Sequence, residues 1–120
     1  MPYINEVRFG VIIIDGKKYH QVLMVGDLIE ERDVARLNKI YGSTHEIAFW
    51  EIEKLFSNKP TLILIGTGWE GALVVRKDLI NRARREGIEF YAEITPQIVK
   101  YYNAKRQFKE KINALIHTTC

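Results

Sequence analysis

Gly66-Thr67-Gly68-Trp69-Glu70-Gly71 spells G-x-G-x-x-G directly after the apolar run Thr61 to Ile65. In that position the pattern is a dinucleotide fingerprint. Its glycines let the backbone approach a pyrophosphate, and a helix N-terminus supplies amide donors and a partial positive charge. Glu93 stands 22 residues after Gly71, near the end of the next apolar segment, where a carboxylate could accept hydrogen bonds from ribose hydroxyls. In a parallel sheet Gly66 and Glu93 would share the carboxyl edge, at which open α/β sheets bind ligands. Thr95, Asn103 and His117 are further polar candidates for that edge.

Three features oppose a full dinucleotide site. Such a fold needs two mononucleotide halves, and only 27 residues follow Glu93. Glu70 would put a carboxylate at the mouth of the loop, where it repels phosphate. Ala72-Leu73-Val74-Val75 is apolar throughout, so the helix is expected only from about Arg76. The favoured reading is a sharp strand exit in which glycines provide positive φ and close packing. Small-ligand or nucleotide binding at Gly66, Thr67, Gly68 and Gly71 is the alternative, and no cofactor is expected.

Other chemistry is sparse. His20, His45 and His117 lack ligand spacing, so no metal site is expected. Neither a Ser-His-Asp order nor a nucleophile elbow is present, and no catalytic residue is assigned. Asp27, Glu30, Glu31 and Asp33 read as a solvated loop, and His117, on an alternating strand, as a structural histidine. Trp50 and Trp69 fall off the apolar patterns and are the candidates for contact with a protein partner.

The elements that must carry these residues differ between the halves. In the first half, Arg8 to Ile14 and Tyr19 to Met24 are β-branched or aromatic runs around Asp15-Gly16, a hairpin signal. The segment from Val34 to Tyr41 is left without assignment, and Phe49 to Ser57 has helical spacing at Phe49, Ile52, Leu55 and Phe56. The second half alternates: a strand over 61–65, a helix ending at Gly87, a strand over 88–92, a helix opened by Thr95-Pro96, and a strand over 112–118. Leu79, Ile80 and Ala83 stripe the first of these helices. Ile98, Val99, Tyr102 and Phe108 are expected to face inward from the second. Such a series implies a parallel core. The expected class is α/β within a single domain of residues 1–120.

The composition is ordinary for a globular chain, with 47% hydrophobic and 28% charged residues. No apolar run approaches the roughly 18 to 20 residues that span a bilayer. Met1 to Glu6 lacks a signal-peptide pattern, and Cys120 is the single cysteine, which excludes an internal disulfide. A cytoplasmic protein without membrane insertion is expected. The net charge of +3 is too small to indicate nucleic acid, although residues 61–120 hold ten basic and six acidic side chains. The basic runs Arg82–Arg85 and Lys105–Lys109 read as solvated helix faces.

Phe9-Gly10-x-Ile12-x-Ile14-Asp15-Gly16-x-x-Tyr19, then Gly66-Thr67-Gly68, Thr95, Tyr102-Asn103 and Ala114-Leu115-Ile116-His117-x-Thr119-Cys120, together resemble a small domain family of unknown function. That family occurs in archaea and bacteria. It is shared by an adipogenesis-associated domain-containing protein and by a mitochondrial assembly factor of NADH dehydrogenase (complex I). The resemblance covers nearly the whole chain and departs most between Asp33 and Phe56. It implies a three-layer fold, with a central mixed, mostly parallel sheet of about five strands flanked by helices and a smaller antiparallel hairpin element. It implies no established catalysis, and an accessory or assembly role through a protein partner, a second copy of the chain being one option.

Overall fold

A computed structural model describes residues 1–108 and 110–120. The chain begins with three short antiparallel strands, β1 (Ile4–Arg8), β2 (Val11–Ile14) and β3 (Lys17–Tyr19), which form a sheet of their own in the order β1-β2-β3. Asp15 and Gly16 make the β2–β3 turn with φ of 48° and 79°, the left-handed pair that a two-residue hairpin demands.

Strand β4 (Val22–Val25) follows after only two residues but belongs to a different sheet. The expected strand Tyr19–Met24 is therefore divided. His20 and Gln21 carry the chain from one sheet to the other, although the apolar pattern runs on past them. Strand β5 (Leu28–Glu31) pairs antiparallel with β4, so Glu30 and Glu31 lie on a strand rather than a loop. Glu30 pairs with Lys54, and Glu31 accepts from the His20 amide at 2.9 Å. The expected solvated loop is thus a strand whose carboxylates have individual partners.

Helix α1 (Val34–Tyr41) occupies the unassigned segment. Asp33 caps it by accepting from the Arg36 amide at 3.1 Å. Helix α2 (Phe49–Leu55) buries Leu55 and leaves Phe49 exposed, so only part of the expected stripe faces inward.

From here the alternation holds: β6 (Leu62–Thr67), α3 (Lys77–Arg85), β7 (Glu89–Glu93), α4 (Thr95–Lys105) and β8 (Ile112–His117). The five-stranded sheet runs β5-β4-β8-β6-β7. Strand β6 is parallel to both β7 and β8, while β4 is antiparallel to β8 and β5. The sheet is mixed, its four pairings evenly divided rather than mostly parallel. The smaller element is a three-stranded sheet, one strand more than a hairpin.

Pleat alternation sorts the core. Leu62 and Leu64 of β6 join Ile112, Ala114 and Ile116 of β8 in a cluster with Ile12 and Ile14 of the small sheet and Ile98, Val99 and Tyr102 of α4. Ile63 and Ile65 join Leu115, Leu55 of α2 and Leu79 and Ala83 of α3 in a second cluster. Phe108, expected inward, is 67% exposed, because α4 ends at Lys105 before it. Of the basic run Lys105–Lys109, Lys109 lies outside the described residues.

Candidate functional site

Gly66 is the last residue but one of β6 and lies between Glu93 of β7 and Ile116 of β8, so the glycine loop leaves the sheet at its carboxyl edge. A Cβ at Gly66 would lie 2.9 Å from Thr95 Oγ1 and 3.3 Å from an Ile116 methyl. The absent side chain thus makes room for Thr95. That hydroxyl is fully buried; it accepts from the Gly68 amide at 2.9 Å and donates to the His117 carbonyl at 2.5 Å. Thr95 was expected to cap α4. Ile94 occupies the boundary position instead, and the Thr95 side chain ties the glycine loop to β8.

Three further amides of this segment are consumed as well. Trp69 N–H donates to Thr119 O at 2.8 Å, and Glu70 and Ala72 N–H donate to the Cys120 main-chain oxygen at 2.7 and 3.1 Å. Gly68 has φ of +100°, and a Cβ there would come within 2.6 Å of that oxygen and 2.7 Å of His117 Cδ2. The donors that a pyrophosphate requires are turned onto residues 119–120. Helix α3 starts at Lys77, well past Gly71, so the loop does not lead straight into a helix. The N-terminus of α4 meets it instead, and its first amide, Thr95 N–H, is spent on the Gly68 carbonyl at 3.1 Å. The loop has the glycine spacing of a dinucleotide site with the geometry of a packed strand exit.

Beneath the loop runs a buried polar chain. Arg32 is 4% exposed, yet all five of its N–H groups have acceptors. Nε and one Nη donate to the two Glu51 carboxylate oxygens at 2.7 and 2.9 Å; the remainder reach Gln21 Oε1 and the Thr44 and Glu46 carbonyls at 2.8–3.0 Å. Glu51 also accepts from the Ala48 amide that opens α2, at 3.0 Å. Gln21 Oε1 faces His117 Nδ1 as well, at 2.8 Å.

These contacts define the state of His117. Since arginine only donates, the Gln21 atom between the two must be its oxygen, and His117 Nδ1 carries the proton. Nε2 is then the acceptor, and Thr119 Oγ1 lies 3.1 Å from it. Burial, reinforced by Arg32 and by His45 and His20, pulls the imidazole down to about 4, so it is neutral near pH 7. His45 meets it edge to face at 5.4 Å. Among the described residues no set of three His, Cys, Asp or Glu side chains could hold a metal ion. His117 is 0% exposed, so Nε2 has no open path to solvent.

The remaining candidates are scattered. Asn103 brackets the Ile4 main chain, donating to its carbonyl at 2.8 Å and accepting from its amide at 3.1 Å. Glu93 is exposed beside a cavity of about 460 Å³ lined by Tyr91, Ile94, Gln97, Ile98 and Tyr101. Trp69 is half-buried, and its Nε1 is buried without a partner. Trp50 is half-buried between Tyr41 and Phe49, with the Arg36 guanidinium 3.9 Å above its ring. Thus Thr95 and His117 meet at the loop, Glu93 opens onto the adjoining cavity, and Asn103 and Trp50 stand apart.

Sequence reasoning missed Gln21, Arg32 and Glu51. One signal was available: Glu51 lies four residues before Leu55, on the stripe that α2 buries.

Residues 4–117 match the model of a family described as a protein of unknown function (DUF498/DUF598). The chain belongs to this family. Among solved structures, the chain is similar to the conserved hypothetical protein PH1505 of Pyrococcus horikoshii OT3, with 29% identity, 98% of each chain covered and a TM-score of 0.81. It is also similar to MT938, with 27% identity, full coverage of both chains and a TM-score of 0.76. The Xanthomonas campestris protein XCC1710 shares the fold at 14% identity and a TM-score of 0.69 over 97% of this chain and 83% of that one. No curated protein matches. Members of DUF498/DUF598 and these hypothetical neighbours assign no activity, and no helix among the described residues is long and apolar enough to cross a membrane.

Proposed function

We propose that this single domain is a cytoplasmic, non-enzymatic accessory factor that acts by binding another protein. The observation that carries the reading is the aromatic ridge on α1 and α2. Phe49 is 60% exposed, Ile40 51% and Tyr41 38%, beside Trp50 with Arg36 stacked on it. Aromatic and arginine side chains held rigid at a surface are the usual anchors of interfaces. The polar groups that could do chemistry, by contrast, are occupied by one another. The sequence resemblance to the family that an adipogenesis-associated protein and a complex I assembly factor share is in keeping with the same role. We also infer three layers, with α2 and α3 on one face of the five-stranded sheet and α4 with the small sheet on the other.

Crosslinking and quantitative capture test this. The double variant Phe49→Asp/Trp50→Ala should keep the wild-type melting profile yet weaken partner binding by about 2 kcal/mol or more, roughly thirtyfold in Kd. A chain that captures no partner but turns over a metabolite overturns the reading.

A second reading rests on Trp69 Nε1, a buried donor of the loop itself that has no acceptor. A small ligand or nucleotide there would supply the acceptor. At 100 times its dissociation constant it adds about 2.7 kcal/mol, visible as a thermal shift. Trp69→Phe should lose most of that shift; a nucleotide panel without any shift rejects the site.

A further inference from the structure

Strand β7 is the outer strand of the five-stranded sheet on the β6 side. Its Glu89 N–H donates to Thr61 O at 3.1 Å, toward β6. Alternation along a strand then turns the N–H and C=O groups of Phe90 and Ala92 the other way, and among the described residues no strand pairs with them.

The side chains along this edge have one character. Glu89, Tyr91 and Glu93 alternate on the face toward α4, all exposed, and the Tyr91 ring lies 5.1 Å from that of Tyr101. The 460 Å³ cavity opens between them. Several other surface carboxylates are engaged, Glu30 with Lys54, Glu53 and Glu86 with Arg82, and Glu89 of the same edge with the Tyr91 hydroxyl at 3.3 Å. Glu93 has no hydrogen bond or ion pair among the described residues. Tyr101 already holds the Lys105 ammonium 5.6 Å from its ring centroid. Aromatic walls with a free carboxylate make a receptor for a cation.

A second copy of the chain fits badly. Two β7 strands paired antiparallel about Tyr91 would set Glu89 directly opposite the other copy's Glu93, a like-charge pair that destabilises a ladder. We propose that β7 accepts a sixth strand from a partner protein, an extended segment with Arg or Lys at alternate positions. One of those cations enters the cavity between Tyr91, Glu93 and Tyr101. This surface is separate from the aromatic ridge of α1 and α2, so the two readings stand or fall independently.

The probe is the peptide acetyl-Arg-Val-Arg-Val-Arg-Val-amide, titrated into isotope-labelled protein at about 0.15 M salt, where long-range attraction is screened. The expected result is amide shifts centred on Phe90 and Ala92, and affinity about tenfold above that of the glutamate analogue. Glu93→Gln should remove most of that preference, and N-methylation of alternate peptide residues should abolish binding. Ala92→Pro, which deletes an outward donor at an edge that tolerates proline, should do the same while the melting profile stays that of the wild type. Equal binding by Glu93→Gln, shifts centred elsewhere, or undiminished binding of the N-methylated peptide would overturn the proposal. Self-association of the protein through Tyr91 would overturn it too, by naming a second copy as the occupant.

Discussion

Arg32 and Glu51 show what a buried ion pair contributes. Taking both charges out of water costs several kcal/mol, and only complete hydrogen bonding offsets it. The arginine meets that condition with all five donors. Removing one partner should therefore be far worse than removing both. Glu51→Ala is expected to cost about 3–5 kcal/mol in urea unfolding, whereas Arg32→Met/Glu51→Leu should recover a large part of that loss. A double variant as unstable as the single one would show that Gln21 and the Thr44 and Glu46 carbonyls depend on the guanidinium itself. The same logic separates Thr95 from an ordinary helix-capping residue, because its hydroxyl joins the glycine loop to β8 rather than serving α4.

At the scale of elements, α4 is the hinge post of the small sheet. Asn103 holds both main-chain groups of Ile4, and the Tyr102 hydroxyl donates to the Pro2 carbonyl at 2.9 Å. Asn103→Leu leaves a pair of Ile4 groups unmatched, at about 1–3 kcal/mol. Hydrogen exchange should quicken in β1 and β2 while β6 and β8 stay protected; uniform quickening would mean that the two sheets open as one unit. Which elements could be read beforehand follows from where their information lies. The turn at Asp15-Gly16, the stop at Gly87 and the start of α3 past Val75 are local, and the sequence displays them. The division of Tyr19–Met24 is not, since Gln21 leaves the sheet only to meet Arg32 and His117. Strand β5 hides because an edge strand tolerates Glu30 and Glu31. The glycine loop misleads for the same reason: its pattern is local, but the oxygens that fill it belong to residues about fifty positions away.

For the whole molecule, the buried histidine ties global stability to acidity. His117 titrates near 4 in the folded protein, below its ordinary 6.5, because burial first and the neighbouring cations next disfavour the charged form. The unfolded chain therefore binds the proton first as pH falls. The stability contribution is complete above about pH 6.5 and is lost as pH drops toward 4, by an amount of order 3 kcal/mol. Melting temperature measured from pH 7 to 4 should fall more steeply in the wild type than in His117→Gln. Parallel curves for the two proteins would place the acid sensitivity elsewhere.

Strand β8 sits between β4 and β6, at the centre of its sheet. Both flanking pairs, β4 with β5 and β6 with β7, precede it in the chain, and among the described residues no ladder joins them without it. On the ribosome, then, the two pairs emerge with open inner edges and wait for residues 112–117. Cooperative folding begins only when that segment is free, and the loop, the histidine and the arginine pair lock into place in the same event.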